Sequence, residues 1–244
     1  MKRLALALTS MAAFAGSAVA ADLPARTYTK APAPVAAVMS WTGCYVGGQV
    51  GYTSASTNQS WANSGNVTIP DGTPITGTQR PDGVIGGVTA GCNYQFAANW
   101  VIGAEGDYSW TDLSSSARLL PPANTAHTFE VRESSFATAR ARLGYAVDQW
   151  LFFVSGGAAW ARVDIGDTNV PTGGTAFQSV GQTYSGWTVG GGVEYAVTRN
   201  WLVKAEYLYA DLGSNRVQLR NALGGDADVS LKQQIGRFGV NYKF

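Results

Sequence analysis

The chain has 244 residues, 14% of them charged, with a formal net charge of +1 at pH 7. That balance supplies no basic surface of the kind nucleic acid requires, and 2 cysteines are too few for a disulfide-dense scaffold or a four-cysteine metal site. The 30 glycines, 8 tryptophans and 11 tyrosines suit alternating strands better than amphipathic helices.

The chain opens with Met1, Lys2 and Arg3, a short positive segment, followed by the small and apolar residues 4–19. Ala18-Val19-Ala20 has the A-x-A form of a signal-peptidase site, so cleavage after Ala20 is expected, with a retained anchor as the alternative. The run is short for a bilayer helix, which needs about 20 apolar residues. Residues 21–40 are rich in Pro and Ala without a clear period and read as a periplasmic tether. No later segment is a long uncharged apolar run. A mature chain that crosses a membrane therefore does so with strands.

From residue 41 on, the pattern predicts eight strands: 41–52, 84–96, 100–110, 134–145, 150–163, 185–197, 201–210 and 231–244. Three connections are tight, at 97–99, 148–149 and 198–200. The other four, at 53–83, 111–133, 164–184 and 211–230, are long and polar. Short turns on one side and long loops on the other is the layout of bacterial transmembrane barrels, whose short turns face the periplasm. The expected fold is an all-β, eight-stranded antiparallel up-and-down transmembrane β-barrel over residues 41–244, with its termini in the periplasm and its long loops extracellular.

An aromatic precedes each tight turn and a Trp follows it: Phe96 and Trp100, Tyr145 and Trp150, Tyr195 and Trp201. With Trp41, these tryptophans fit a periplasmic aromatic girdle. Ordinary hairpin packing in a soluble β-protein is the alternative. Tyr52, Trp110, Trp160, Tyr184 and Tyr209 are candidates for the opposite interface.

Within each predicted strand the mid-strand charges fall on the face without aromatics. Glu105, Asp107, Glu194 and Glu206 supply four negatives, and Arg140, Arg142, Lys204 and Arg237 four positives. In lipid the apolar face turns outward and these charges fill the interior. An eight-stranded barrel is just wide enough for side chains to fill it, so the charges should pair into a plug. Aligning strand ends sets Asp107 beside Arg140, Glu105 beside Arg142, Glu206 beside Arg237 and Glu194 beside Lys204. A weaker, partly hydrated polar interior is the alternative.

Cys44 and Cys92 lie on apolar faces, and the pairing that sets them opposite each other also brings Tyr52 opposite Val84, where both strands end. They read either as a cross-strand disulfide, in an oxidising compartment, or as two small lipid-facing hydrophobes. At the end of the chain Phe238, Val240, Tyr242 and Phe244 alternate with Gly239, Asn241 and Lys243. A terminal amphipathic strand closing on an aromatic reads as an outer-membrane assembly signal.

The segment 41–48 (WTGCYVGG), the stretches 186–196 and 200–213, and the ending Tyr242-Lys243-Phe244 resemble the alphaproteobacterial outer-membrane immunogenic, porin-like family. Ala21-Asp22-Leu23-Pro24 also fits, whereas the long loops show no match. The resemblance implies an eight-stranded barrel of the outer membrane protein A-like type, a surface antigen, with some members called porins and haemin binding proposed for some. Cys44 departs from the aromatic expected there, which makes the disulfide a feature of this chain.

Three functions compete. The first is a non-enzymatic envelope barrel that contributes to envelope integrity and presents surface loops for antigen- or adhesion-type interactions. Its partners would be outer-membrane lipids, lipopolysaccharide and the barrel-assembly machinery, with unknown loop ligands and no nucleic acid. The second is a small-solute porin or haemin-binding surface protein. The third is an outer-membrane enzyme, but the only histidine, His127, stands in a polar loop without a recognisable nucleophile–base set. No cofactor, metal or catalytic residue is expected.

Overall fold

The computed structural model describes residues 39–63, 70–118, 120–121, 127–169, 180–218 and 226–244. The expected signal segment 1–20 and all but the last two residues of the tether lie outside the described residues.

Eight strands, β1 (Gly43–Asn63), β2 (Asp82–Phe96), β3 (Trp100–Arg118), β4 (His127–Val147), β5 (Trp150–Asn169), β6 (Val180–Ala196), β7 (Trp201–Gln218) and β8 (Asp226–Lys243), follow one another around a closed antiparallel barrel. Each pairs with its sequence neighbours, and β8 returns to pair with β1 from Tyr45 opposite Lys243 onward. Closure leaves no free edge, which a sheet in hydrocarbon requires because no water is there to satisfy an exposed backbone. The turns after β2, β4 and β6 all lie at one end. Ala97 (φ 44°), Ala98 (φ 63°) and Asp148 (φ 52°) take the left-handed backbone these tight reversals demand.

The narrow cylinder bends its strands hard, and inward-facing glycines permit it. A Cβ added at Gly87, Gly157 or Gly186 would stand 2.0–2.2 Å from a carbonyl oxygen of the neighbouring strand. Any side chain there would force the strands apart.

The strands run well past their expected limits. β1 continues to Asn63, β4 begins at His127, β7 reaches Gln218 and β8 begins at Asp226, so much of what the sequence presents as long loop is strand. The reason is a change of surroundings. Near the short turns Val46, Val50, Phe238 and Val240 point outward and Gln49, Arg237 and Asn241 inward. Further along the same strands Ser54, Ser56, Lys232 and Gln234 point outward, and Ala55, Trp61, Leu231 and Ile235 are buried inside. The two-residue period persists while its polarity reverses, so a search for one continuous apolar face stops at the reversal. Register shifts at Trp110/Leu113, Glu133/Ser135 and Asp211/Ser214 cluster at this level.

Candidate functional site: the filled interior

The interior is built in three layers. At the short-turn end Trp41, fully buried, packs with Val101, Ala146, Leu151, Ala196 and Leu202 and stoppers the mouth. Its backbone N–H donates to Gln95 Oε1 at 2.8 Å. Trp41 is therefore not part of an outer aromatic girdle. It shares the inward parity of Tyr45 and Gln49, opposite the Cys44 and Val46 face. Strand parity, rather than residue type, decides where it points.

The middle layer is ionic. Arg140 contacts Glu105, Glu206 (2.9 Å) and Asp107 (3.3 Å). Arg142 contacts Glu194 (2.7 Å) and Glu105 (3.2 Å), with its guanidinium 4.0 Å from the centroid of the Phe153 ring. Lys204 Nζ lies 3.0 Å from Glu105 and 3.1 Å from Glu206. Arg237 holds Asp107 at 2.7 Å and also Glu206. All eight side chains are at most 3% exposed. Four positive and four negative groups cancel, which is what burial demands, since an uncompensated charge in a low-dielectric interior costs several kcal/mol. Neutral donors complete the layer. Tyr45 Oη donates to Glu105 at 2.6 Å, Thr138 Oγ1 donates to Asp107, and Gln49 Nε2 donates weakly to Asp107 and Ser109 at 3.4 and 3.3 Å.

Arg140 contacts Asp107 and Arg142 contacts Glu105, as the sequence suggests, but the strand register beneath them and the partner of Glu194 differ. Glu105 faces Arg140 and Asp107 faces Thr138, a two-residue offset from the pairing that aligned strand ends would give. A closed barrel must stagger its strands, and here Trp100 pairs with Tyr145 rather than Val147, with ring centroids 5.3 Å apart. Glu194 and Lys204 are register neighbours, yet Glu194 binds Arg142 while Lys204 binds Glu105 and Glu206. In so narrow a lumen, groups across the axis compete with groups next door. Glu206 does sit opposite Arg237 and bonds to it. Tyr45 and Gln49 were missed, although their parity, opposite the face of Cys44, Val46 and Val50, identifies them as interior.

The third layer fills the loop end with Leu113, Val131, Phe136, Val163, Tyr184, Leu208, Leu212, Leu231 and Ile235, among others, together with Ile75 from the segment before β2. Tyr184, expected at the outer interface, is fully buried here because its position on β6 has inward parity. Polar side chains are buried here too: Gln59, Thr76 and Gln79 hydrogen-bond to one another, and Gln233 Nε2 donates to the Glu133 carboxyl. Glu133 pairs with Leu113 and Val163, beyond Trp110 and Trp160, so it lies outside the spanning part of the barrel. Burial there pushes its carboxyl up to about 8.

The outer wall carries two aromatic rings. Trp100, Tyr145, Trp150, Trp201 and Tyr242 are exposed at the short-turn end, with Phe238, Val240 and Phe244 on the same lipid-facing side of β8. Tyr52, Tyr108, Trp110, Trp160 and Trp187 are exposed toward the loop end. Cys44 and Cys92 form a disulfide (S–S 2.07 Å) between opposed positions of β1 and β2 on the outer face. It closes a 48-residue separation, and a link of that length stabilises by roughly 2–4 kcal/mol through the unfolded chain. The backbone of His127 begins β4, and its side chain lies outside the described residues.

An outward apolar band bounded by aromatic rings, a closed sheet and a charge-neutral filled lumen define an integral β-barrel membrane protein. The outer membrane protein beta-barrel domain matches residues 4–244, and the chain belongs to that family. It is 34% identical to a 31 kDa outer-membrane immunogenic protein of Brucella melitensis over 97% of this chain and 98% of the relative. It is 29% identical to a 22 kDa outer membrane protein of Rhizobium leguminosarum, covering 87% and 82% of the two chains. Among solved structures, the outer membrane protein OprG of Pseudomonas aeruginosa aligns with 85% of this chain and 99% of its own at 14% identity, with a TM-score of 0.46. The family is one of outer-membrane, immunogenic surface proteins of alphaproteobacteria.

Proposed function

We propose that this chain is a non-enzymatic structural barrel of the outer membrane that contributes to envelope integrity and presents its long loops on the cell surface, with both termini in the periplasm. The observation that carries this reading is the filled lumen: a neutral ion-pair layer held between an apolar stopper at Trp41 and an apolar layer around Phe136 and Leu208. Each charged group of the middle layer is bound by its neighbours and shut from solvent, so none is free to act on a substrate. The same packing speaks against a small-solute porin, which needs a continuous aqueous path. Outer-membrane lipids and lipopolysaccharide are the partners this role implies, and the outward residues of β8 ending at Phe244 are the segment offered to the assembly machinery.

Planar-bilayer recording of the purified protein, combined with protease treatment of intact cells, tests this reading. No stable conductance and cleavage within the long loops are expected. Salt-proportional conductance from monomers would overturn the closed barrel, and cleavage confined to the short turns would reverse the orientation.

A further inference from the structure

The outer wall of the β8–β1–β2 sector holds two adjoining depressions of opposite chemistry. The lower one, about 740 Å³, lies on the hydrocarbon-facing side and is lined by Gly48, Val50, Gly86, Val88, Phe238 and Val240. Gly48 and Gly86 point outward and form its floor, while Phe238 (69% exposed) and Trp110 (58% exposed) stand up as walls. The upper one, about 520 Å³, lies toward the loops and is lined by Ser54, Ser56, Arg80, Tyr209, Lys232 and Gln234. Between them Tyr52 is paired with Gly236, where an added Cβ would meet nothing within 4 Å, so the wall is notched at the junction.

We propose that this sector binds a phosphorylated glycolipid of the outer leaflet, with acyl chain in the lower trough and phosphate between Arg80 and Lys232. The proposal rests on the orientation given above, which sets the loop end outside. Three features select this occupant. The trough is apolar and lies within the spanning band, so its natural filler is hydrocarbon. The upper depression presents two cations, one a guanidinium able to fork onto phosphate oxygens. Hydroxyl and amide groups from Ser54, Ser56, Tyr209 and Gln234 surround those cations and suit sugar hydroxyls better than a simple alcohol headgroup.

Asp211 and Asp82 do not line the upper depression, although Asp211 shares Lys232, so Arg80 is the cation left open to a phosphate. Asp211 lies 3.3 Å from Lys232 Nζ, and Asp82 accepts a hydrogen bond from Tyr52. Among the described residues Arg80 has no ion-pair partner. From Val50 (opposite Phe238) to Ser54 (opposite Gln234) the chain advances four residues, roughly 13 Å at the rise of a strand. That separation leaves room for a sugar headgroup between phosphate and trough.

The test uses the full-length protein in zwitterionic phospholipid nanodiscs, titrated with bis-phosphorylated lipid A and, separately, with lipid A stripped of its phosphates. Binding is read by native mass spectrometry. The phosphorylated form should bind the wild type about tenfold more tightly, the scale of one lost charged hydrogen bond. The R80Q/K232Q double variant should lose that preference, and G48L/G86L should weaken both lipids. Leucines are tolerable at Gly48 and Gly86 because an added Cβ meets neighbours no closer than 3.7 Å. Equal binding of the two lipids by the wild type, a preference retained in R80Q/K232Q, or a groove variant that changes only the oligomeric state would overturn the proposal. The last outcome would assign the trough to a second copy of the chain. None of these results bears on conductance, so the closed barrel stands or falls separately. Loss of the lipid preference alongside protease cleavage at the short turns would trace the failure to orientation.

Discussion

Two lengths of the same eight strands solve opposite problems. Between the aromatic rings the strands of β1 and β8 put Val46, Val50, Phe238 and Val240 outside and Gln49 and Arg237 inside. Beyond the loop-side ring they put Ser54, Ser56 and Lys232 outside and Ala55, Leu231 and Ile235 inside. Backbone parity is identical in the two lengths. What differs is the outer solvent: hydrocarbon below the ring, water above it. The lower length must hide its polar groups in the lumen, where they compensate each other. The upper length is organised like a small water-soluble barrel, with an apolar core and charged exterior. Stability should therefore come from electrostatic matching below the ring and from packing above it.

Arg140→Ala breaks this comparison hardest. Arg140 touches Glu105, Asp107 and Glu206, and removing it leaves the middle layer with an unmatched negative charge. The expected cost is about 3–5 kcal/mol, the range for removing one partner of a buried pair. Urea unfolding in lipid vesicles, followed by heat-modifiable gel migration, measures it. If the variant unfolds at the wild-type urea concentration, the layer is hydrated rather than dry and the electrostatic account of the lower length fails. Either a lower unfolding midpoint or a newly measurable conductance is consistent with a broken plug.

The sequence reveals the lower length far better than the upper one. All eight charged residues of the middle layer are recognisable because each interrupts an apolar alternation, as Glu206 does between Ala205 and Tyr207. The short turns are equally plain, since Asp148-Gln149 and the Ala97-Ala98-Asn99 reversal sit between strong strand signals. Partner identity is harder to read. Strand parity says that Glu194 faces the lumen, but only barrel stagger and lumen width decide that it meets Arg142 rather than Lys204. The upper length hides because its composition imitates a loop. Residues 54–60 of β1, Ser54-Ala55-Ser56-Thr57-Asn58-Gln59-Ser60, carry too little apolar contrast for the period to register. Only the register with β8, where Leu231 and Val229 face inward beside them, exposes the pattern.

Glu133 sharpens the comparison from the upper side. It is a carboxyl buried among apolar neighbours without a cation, unlike any acid of the middle layer, and its proton is held up to about 8 against an ordinary value of 4.5. Below pH 4.5 the group is protonated in both folded and unfolded chains and favours neither. As the pH rises toward 8, the unfolded chain releases the proton first while the folded barrel retains it, so stability declines. Urea midpoints measured at pH 5, 7 and 9 should fall in that order for the wild type. In Glu133→Gln the decline should flatten, because the amide keeps its hydrogen-bonding ability without a titrating proton. Parallel slopes for both proteins would mean that water reaches Glu133 and that the upper core is not dry.

The smallest effect belongs to an ion pair that looks on paper like those below the ring. Arg216 contacts Asp228 at 3.1 Å, a geometry as good as several pairs of the middle layer, but their side chains are 58% and 40% exposed. Water already solvates both partners, so removing one leaves no stranded buried charge, and salt screens what attraction remains. Arg216→Ala should leave the unfolding midpoint unchanged within error at 0.15 M salt, measured beside Arg140→Ala in the same vesicles. A loss comparable to that of Arg140→Ala would show that the outer wall above the ring is shielded from water. The polarity reversal along the strands would then need a cause other than solvent, because the exterior charges of the upper length would themselves be buried.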